Sequence, residues 1–428
     1  MQVRPARIDR HGDPRQAAAL ARALDVVMAG EEHTRRYTHG FHSYPARMHP
    51  MTARRVFALL DLPRGALVVD PFCGSGTVLV EAVLAGVRAV GVDANPLAIA
   101  IARAKTWAVP AARRKELQSA ARRIAALVVE EGKAARRAGY EPPADRKPPP
   151  GMTAAERAEA LGGWFDPHVR RELETLAMFI DREKDAELRP FLQSLLSSVI
   201  IKVSRRESDT SGQMVSRHLA RGMAARLFGQ RADELVEGLA AIEKDAPAAA
   251  KVAWAEAWLG DARSLPRKPL PDGLPDGSVQ AIVSSPPYAG TYDYLEHHSL
   301  RLLLLGLPSS DLDAKEIGAR RSFGATPKDV ALGLKKWSKD LKQSLSQMAR
   351  VLEPGGRAVL LLGDSLAGRG PAAQAVHADM WLAELAPEVG LEIVAAASMA
   401  REMLGGAERR AFEARSKREH LVLLRKKA

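Results

Sequence analysis

The hydrophobic positions of this chain form short unbroken runs near its start and its end, with helical spacing between them. Residues 66–70 (ALVVD) and 88–93 (RAVGVD) are largely apolar, as strands buried on both faces of a parallel sheet must be. A segment with helical spacing follows each run. This alternation predicts an α/β fold with an open, mostly parallel sheet.

The strand pattern stops after these residues and returns late in the chain. Residues 113–258 are rich in Ala, Arg, Glu, Lys and Leu at helical spacing, which predicts an inserted helical subdomain. The proline-rich residues 141–152 interrupt it and predict an exposed loop or a partly disordered linker. Strands return at residues 279–285 and 420–426. The predicted parts are 1–112, which starts with a polar lead-in, the insertion 113–258, and 259–428.

The charge balance suits a polyanionic partner. The 428 residues include 63 Lys and Arg against 51 Asp and Glu, a formal net charge of +12. Nucleic acid is such a partner, and a solvated basic surface is the alternative. The single cysteine, Cys73, excludes an internal disulfide framework and a Cys-based zinc cluster within one chain. It indicates a cytoplasmic protein, and no apolar run is long enough to predict a membrane span.

A glycine-rich turn, residues 70–77 (DPFCGSGT), follows the first predicted strand. In an open α/β sheet, ligands bind beyond the carboxyl ends of the strands. Gly74 and Gly76 remove side chains, so backbone N–H groups and the next helix can face a ligand. Asp93 ends the second strand, where a carboxylate can accept hydrogen bonds from both ribose hydroxyls. The pairing fits an adenosine-containing cofactor, and the lack of a third glycine disfavours a dinucleotide.

These segments resemble a known family. Residues 70–82 (DPFCGSGTVLVEA) and 91–96 (GVDANP) are similar to the cofactor motifs of the amino-methyltransferases that act on DNA bases. Residues 41–50 (FHSYPARMHP) resemble the segment that precedes those motifs in one subgroup. The resemblance implies a Rossmann-like class I methyltransferase sheet, S-adenosylmethionine as the cofactor, and no metal.

The resemblance also implies roles for single residues. Asp93 and Asp261 correspond to positions that hold the ribose and the adenine amine. A surface-turn role is the alternative for Asp261, because its motif GDAR is short. Cys73 lies inside the turn, which favours packing over a role as covalent nucleophile. The expected cofactor-binding residues are Asp70, Phe72, Gly74, Gly76, Thr77, Asp93, Asn95 and Asp261, with Asp70 and Thr77 at the methionine end.

A second motif, residues 284–288 (SSPPY), follows a later predicted strand. An exocyclic aromatic amine is a poor nucleophile because its lone pair is delocalised into the ring. Ser285 and the Pro286 carbonyl can accept the amine hydrogens, and the prolines fix these groups beforehand. Tyr288 offers a stacking face for a base turned out of its helix. The expected catalytic residues are Ser285, Pro286, Pro287 and Tyr288, with direct transfer and no covalent enzyme intermediate.

The quartet SPPY resembles the catalytic motif of the same family, in which serine at the first position is typical of cytosine-N4 enzymes. It follows the cofactor motif, as in a subgroup with a helical insertion between the two motifs. Tyr292 and Tyr294 come next and are candidates for substrate contact, with packing as the alternative. We predict a site-specific DNA methyltransferase acting on cytosine N4. The alternatives are an RNA base amino-methyltransferase, a DNA adenine-N6 methyltransferase and an inactive nucleic-acid-binding homologue.

Target recognition is expected in the insertion. Lys202, Arg205 and Arg206 lie near a break between predicted helices, where they can contact phosphates; a solvated helix face is the alternative. The expected partner is DNA, with RNA as the alternative and a cognate restriction endonuclease as a possible companion.

Overall fold

The computed structural model describes residues 8–26, 31–138, 152–208, 211, 213–246, 254–307, 310–403 and 405–427. The loop predicted at residues 141–152 falls outside these ranges except for its last residue. The strands within them are β1 (Ile8–Gly12), β2 (Leu67–Asp70), β3 (Arg88–Asp93), β4 (Ala255–Leu259), β5 (Val279–Ser284), β6 (Leu352–Gly363), β7 (Ser365–Ala367), β8 (Gln374–Val376), β9 (Leu391–Ala400) and β10 (Arg418–Lys426).

Helices make up most of the remaining described chain. They are α1 (Pro14–Leu24), α2 (Glu31–Arg35), α3 (Pro50–Leu60), α4 (Thr77–Leu84), α5 (Pro96–Lys105), α6 (Ala111–Ala138), α7 (Ala154–Gly162), α8 (Pro167–Asp181), α9 (Arg189–Val203), α10 (Met223–Asp245), α11 (Tyr294–Leu305), α12 (Ser310–Lys315), α13 (Pro327–Val351), α14 (Ala378–Glu388) and α15 (Gly406–Ala411). Among the helices described, we find none with the length and apolar content that crossing a membrane requires.

Eight strands form one sheet in the order β4-β3-β2-β5-β6-β10-β9-β1. The five strands from β4 to β6 in this order are parallel, and β10 runs antiparallel between β6 and β9. The chain passes from β2 to β3 on one side and later returns to place β5 on the other side. The order thus reverses at β2, and ligands bind at such a reversal in open α/β sheets. The predicted Rossmann-like α/β fold class is confirmed.

Helices cover both faces of the sheet, which explains why the sequences of its central strands are largely apolar. On one face α13 and α14 pack through Trp337, Leu341 and Leu382 against side chains such as Leu360. On the other face α1, α3 and α4 contribute a second apolar cluster. Members of that cluster include Leu20, Phe57, Leu79, Val68 and Leu361.

The helices α6 to α10 form a third cluster, together with α5 and α11. The insertion therefore shares its core with two helices of the sheet domain. One strand was not predicted there: Ala255–Leu259 pairs with β3 and belongs to the sheet, although residues 113–258 were expected to be helical. Because β4 is an edge strand, Leu259 is exposed and the polar Glu256 is accommodated. The segment therefore lacks the unbroken apolar run of a central strand.

The N-terminal lead-in is also part of the fold. Strand β1 pairs antiparallel with β9 at the sheet edge, and α1 packs its buried Leu20 and Leu24 in the cluster that includes Ala395 of β9. The strand β1 was not predicted because its sequence is polar. An edge strand is held by backbone pairing and does not need apolar side chains.

Candidate active site

The turn after β2 is built around two glycines with positive φ. Gly74 has a φ of 47° and Gly76 a φ of 78°, values that side chains disfavour. A Cβ at Gly76 would lie 2.9 Å from the Cβ of Ala102 on α5, and one at Gly74 would lie 3.3 Å from the ring of Tyr44. At these two positions the absence of a side chain therefore allows Tyr44 and α5 to approach the backbone of the turn closely.

A cleft lies above this turn, at the carboxyl ends of β2, β3 and β5. It is lined by Asp70, Phe72, Gly74, Thr77, Asp93, Asn95 and Asp261, which are all the expected cofactor residues except Gly76. Gly76 instead allows α4 and α5 to approach closely. Ser285 and Pro287 of the second motif line the same cleft. The fold thus brings together two motifs that are about two hundred residues apart in sequence.

Two hydroxyl groups at the start of α4 lack partners. Ser75 Oγ and Thr77 Oγ1 are buried and have no hydrogen bond within the described part of the chain. Both residues line the cleft. A buried polar group without a partner is costly, so a ligand with polar atoms at this helix start would satisfy them.

Asp93 joins the glycine turn to the end of β3. Its Oδ2 accepts a hydrogen bond from the Gly74 N–H at 2.9 Å, and its Oδ1 accepts one from the Asn95 N–H at 2.8 Å. Burial raises the pKa of this carboxyl to about 6, although both hydrogen bonds lower it. Each carboxylate oxygen keeps a further lone pair with which to accept a ribose hydroxyl.

Asp70 joins β2 to β5. Its Oδ1 accepts hydrogen bonds from Ser284 Oγ at 2.6 Å and from the Phe72 N–H at 3.1 Å. Burial raises its pKa to about 7, and the same hydrogen bonds act against that rise. The carboxyl group thus braces the cofactor turn against the strand that leads into SPPY.

Asn95 and Asp261 are held by protein contacts as well as facing the cleft. The Asn95 amide accepts a hydrogen bond from the Leu97 N–H, which caps α5, and donates one to His298 Nδ1 at 2.9 Å. Asp261 forms a two-point ion pair with Arg263, with oxygen to nitrogen distances of 3.0 and 2.8 Å. Burial raises the pKa of Asp261, but the Arg263 contacts outweigh it and hold that pKa below its usual range.

Other residues at the cleft were not assigned from the sequence. Tyr44 and Met48 come from the segment before β2, and Lys315 and Glu316 lie after α11. Tyr44 falls within residues 41–50, and the family resemblance of that segment could have marked it as part of the site. No pattern marked Glu316, which accepts a hydrogen bond from the Tyr294 N–H at 2.6 Å and whose pKa is raised by burial.

A second, smaller cleft adjoins the first. It is lined by Ala46, Ser285, Pro286, Pro287, Tyr288, Tyr292, Tyr294, Ile317 and Gly318. Ser285, Pro287 and Tyr294 line both clefts, so SPPY forms part of the wall between them. Tyr288 packs over Gly363, where a Cβ would come within 2.4 Å of the ring.

Three tyrosines form a row across the two clefts. Tyr44 and Tyr294 stack with ring centroids 6.0 Å apart, and Tyr294 and Tyr292 stack at 5.7 Å. Burial raises the pKa of Tyr292 and of Tyr294, so both phenols are neutral at ordinary pH. The sequence left two roles open for Tyr292 and Tyr294, packing and substrate contact. The two roles are compatible, because these rings stack on each other and also line the second cleft.

The backbone of SPPY is fixed by a contact from α13. The indole N–H of Trp337 donates a hydrogen bond to the Pro287 carbonyl at 3.0 Å. By contrast, the Pro286 carbonyl accepts no hydrogen bond from the residues that the structure describes. It remains available to a ligand in the second cleft.

Cys73 is 5% exposed and lies under the turn, where burial raises its thiol pKa well above the usual value. This environment suits a packing residue. Asp364, Asp379 and His420 form a cluster with the donor atoms of a metal site, all within 4.8 Å of one another. In the structure, however, Asp364 accepts hydrogen bonds from the Ala378 N–H and from His420 Nε2, so the cluster joins β10 to the segment after β6.

The basic loop of the insertion differs from the expectation. Arg205 pairs with Asp166 at 2.5 Å, and Arg206 is 7% exposed with its guanidinium over the ring of Trp164. Burial lowers the pKa of Lys202. The two arginines therefore stabilise the subdomain, since a positive charge over an aromatic face and an ion pair are both favourable contacts.

Comparison with known proteins agrees with this geometry. Residues 35–139 match the family model described as UPF0020: RMKL-like, methyltransferase domain. This part of the chain is therefore similar to a methyltransferase domain. The cofactor of this domain is S-adenosylmethionine, and the unpartnered hydroxyls and the carboxylates of the first cleft suit its polar ends.

Curated relatives match over short segments. The type II methyltransferase M.MvaI of Kocuria varians is 41% identical over 75 residues, 17% of this chain and 16% of that protein. The tRNA (guanine(10)-N2)-dimethyltransferase of Methanothermobacter thermautotrophicus is 48% identical over 50 residues, 12% of this chain and 15% of that protein. The chain thus aligns with about a sixth of each relative's length. Among solved structures, the rRNA methyltransferase aviRa of Streptomyces viridochromogenes has a TM-score of 0.31 and 12% identity, covering 90% of this chain and 88% of its own.

Proposed function

We propose that this protein transfers a methyl group from S-adenosylmethionine to the exocyclic amine of a flipped nucleic-acid base, with cytosine N4 in DNA as the target. The observation that carries the proposal is the position of SPPY in the wall between two adjoining clefts. One cleft has the hydroxyl and carboxylate groups that suit the cofactor, and the other is lined by tyrosines that suit a planar base.

When bound, S-adenosylmethionine supplies an electrophilic methyl group. In the first cleft, Ser75 and Thr77 would bind its amino-acid end through their unpartnered hydroxyls. Asp93 would accept hydrogen bonds from the ribose. Asp261 would face the adenine, with its carboxylate kept charged and oriented by Arg263.

In the second cleft, the chain's task is to make an aromatic amine nucleophilic. Ser285 Oγ and the Pro286 carbonyl would accept the two amine hydrogens and localise the lone pair on nitrogen. Because Trp337 holds the neighbouring Pro287 carbonyl, these acceptors are positioned before the substrate arrives. After the transfer the amine nitrogen would release its proton to solvent, and the Ser285 hydroxyl serves only as a hydrogen-bond acceptor.

The choice of base and of nucleic acid depends on different observations. Serine at the first position of SPPY supports cytosine N4. An RNA target is the second candidate, because two of the matching relatives are tRNA (guanine(10)-N2)-dimethyltransferases. Guanine N2 is also an exocyclic amine, so the same acceptors would serve it. The formal charge of +12 suits either polyanion.

The test is to incubate DNA and RNA separately with the pure protein and isotopically labelled cofactor, and to analyse the nucleosides by mass spectrometry. Labelled N4-methyldeoxycytidine is the expected product, and the Ser285→Ala variant should form much less of it. Label found only in RNA nucleosides would favour the second candidate. N6-methyldeoxyadenosine would show that Ser285 does not select cytosine, and no label in either polymer would overturn the proposal.

A further inference from the structure

The outer side of α13 carries a face of unpaired lysines. We call Lys328, Lys335, Lys336 and Lys339 the lysine face; all four are exposed. None of them has an ion pair or a side-chain hydrogen bond within the described part of the chain. Further along the helix, Lys342 pairs with Glu388. Exposed cations that form no ion pair are the surface that a polyanion needs.

The spacing of the lysine face follows from the way α13 is buried. At 3.6 residues per turn, the four lysines fall on one side of the helix. The buried Trp337, Leu341 and Leu345 fall on the opposite side and pack in the sheet's core. The lysines therefore point directly away from the protein.

The lysine face and the SPPY quartet lie on opposite sides of α13. The indole of Trp337 contacts the Pro287 carbonyl, so the middle of the face is one helix diameter from SPPY. The loop that contains the exposed Arg369 packs on Val330 of the same helix, since a Cβ at Gly368 would lie 2.5 Å from that side chain. Arg320 is also exposed and donates a hydrogen bond to the Thr291 carbonyl at 2.6 Å, beside the second cleft.

By comparison, the arginines of the insertion's basic loop have partners within the chain, whereas Lys202 of that loop is exposed. Arg205 is paired with Asp166, and Arg206 is buried over Trp164. Arg217, from the same region, donates hydrogen bonds to the backbone carbonyls of Ile201 and Lys202. These arginines are committed to internal contacts, whereas the lysines of α13 are not.

We propose that the lysine face, with Arg369 at its start, binds the phosphates of the nucleic-acid strand next to the flipped base. The proposal rests on the proposed function, because it assumes a nucleic-acid substrate. Lys328 and Lys339 are roughly 17 Å apart along a helix that rises about 1.5 Å per residue. Measured along the axis of a duplex, that length corresponds to the rise of roughly five nucleotides of one strand, at about 3.4 Å each.

The test compares two variants that each remove four exposed lysines. One carries Lys328→Gln, Lys335→Gln, Lys336→Gln and Lys339→Gln. The matched control carries Lys115→Gln, Lys133→Gln, Lys184→Gln and Lys244→Gln, exposed lysines of the insertion, so both variants lose the same charge. Affinity for the methylated polymer is measured from about 50 to 200 mM salt, alongside turnover at saturating polymer and cofactor affinity by calorimetry.

For the lysine-face variant we expect affinity to fall roughly tenfold or more and the salt slope to decrease by about 3. Turnover at saturating polymer and cofactor affinity should not change. The control should lose less than about twofold in affinity. An equal or larger loss in the control, or wild-type affinity in the lysine-face variant, would overturn the proposal while the wild-type enzyme still methylates its substrate.

Failure of the proposed function has a different outcome, in which the wild-type protein itself labels neither DNA nor RNA. Flotation with vesicles of phosphatidylserine and phosphatidylcholine addresses another polyanion. Vesicle binding that depends on the four lysines, with no change in nucleic-acid affinity, would assign the face to a lipid surface and overturn the proposal.

Discussion

At the scale of single residues, the site depends on small groups that leave room for larger ones. Gly363 has no side chain, and the ring of Tyr288 occupies the space where one would be. Ser284 and Asp70 share one short hydrogen bond that joins two strands. Neither Gly363 nor Ser284 lies in a position where its residue type alone predicts function.

The Gly363→Ala substitution should therefore displace Tyr288. Because the new Cβ would lie 2.4 Å from the ring, the ring must move, and we expect turnover to fall roughly tenfold or more. Cofactor affinity by calorimetry should be unchanged. Gly229→Ala on α10, where a Cβ meets no atom within 4 Å, is the control. Wild-type turnover in Gly363→Ala would show that the position of Tyr288 is unimportant.

The two clefts should respond separately to substitution. Ser285→Ala and Tyr288→Ala would remove the proposed amine acceptor and the proposed stacking face, so turnover should fall, by roughly a hundredfold for Ser285→Ala, with little change in cofactor affinity. Asp93→Ala would remove the proposed ribose acceptor and should weaken cofactor binding roughly tenfold. Calorimetry and steady-state kinetics measure both quantities. An equal loss of cofactor affinity in all three variants would contradict the division of roles.

Stability should depend on pH through Asp70. Its pKa is raised to about 7 in the folded protein, so the folded state favours the protonated form. The stabilisation is present in acid and is lost as the pH rises from the usual aspartate range through about 7. Between pH 5 and 8, we expect the free energy of unfolding to fall by roughly 2–3 kcal/mol more in the wild type than in Asp70→Asn. Urea unfolding measures this, with the exposed Asp61→Asn as the control, and parallel pH profiles for wild type and Asp70→Asn would count against the assignment.

At the scale of elements, a strand was predicted from the sequence when both of its faces are buried. The central strands β2, β3 and β5 were identified because their sequences are apolar throughout. The edge strands β1 and β4 were missed, since one of their sides faces solvent. The helix α1 was missed as well, although its Leu20 and Leu24 are almost completely buried.

If the lead-in belongs to the fold, then a cavity in α1 must destabilise the whole domain. Leu20 is 0% exposed, so Leu20→Ala should lower the free energy of unfolding by roughly 2–5 kcal/mol. Leu127 on α6 is 44% exposed, and Leu127→Ala should change it by less than about 0.5 kcal/mol. Chemical denaturation compares the two. Similar small effects would mean that α1 contributes little to the folded state.

At the scale of the whole molecule, the helical insertion and the sheet are joined by shared packing. Arg301 on α11 is 0% exposed and donates hydrogen bonds to the Ser197 carbonyl of α9 at 3.1 Å and to Ser43 Oγ at 3.2 Å. It links residues 259–428, the insertion and the lead-in. Since Ile101 and Leu302 also lie in the insertion's core, the insertion has no complete core without the sheet's helices.

We therefore expect the insertion and the sheet to unfold in one transition. Hydrogen exchange with increasing urea should show peptides from α9 and from β5 losing protection at the same concentration. Arg301→Met should lower both midpoints together, because it leaves buried partners without a donor. Two well-separated midpoints in the wild type would show that the insertion is an independent domain.

The sequence by itself determined the elements whose physics is local. The two apolar runs are recognisable as buried strands from their composition alone. In the glycine turn and in SPPY the residue type sets the local backbone, because glycine allows positive φ and proline restricts φ wherever they occur. The α/β class followed from the alternation of strand and helix, and the turn and SPPY were each predicted to lie at a strand's carboxyl end.

Only the tertiary structure decided which groups meet. The Asp70 to Ser284 hydrogen bond, the contact of Trp337 with Pro287, the wall shared by the two clefts, and the internal use of Arg205 and Arg206 all join residues that are distant in sequence. Such contacts depend on strand order and helix packing, which arise from burial of the chain as a whole. A hydrophobic pattern specifies which side of an element is buried, but not which partner covers it.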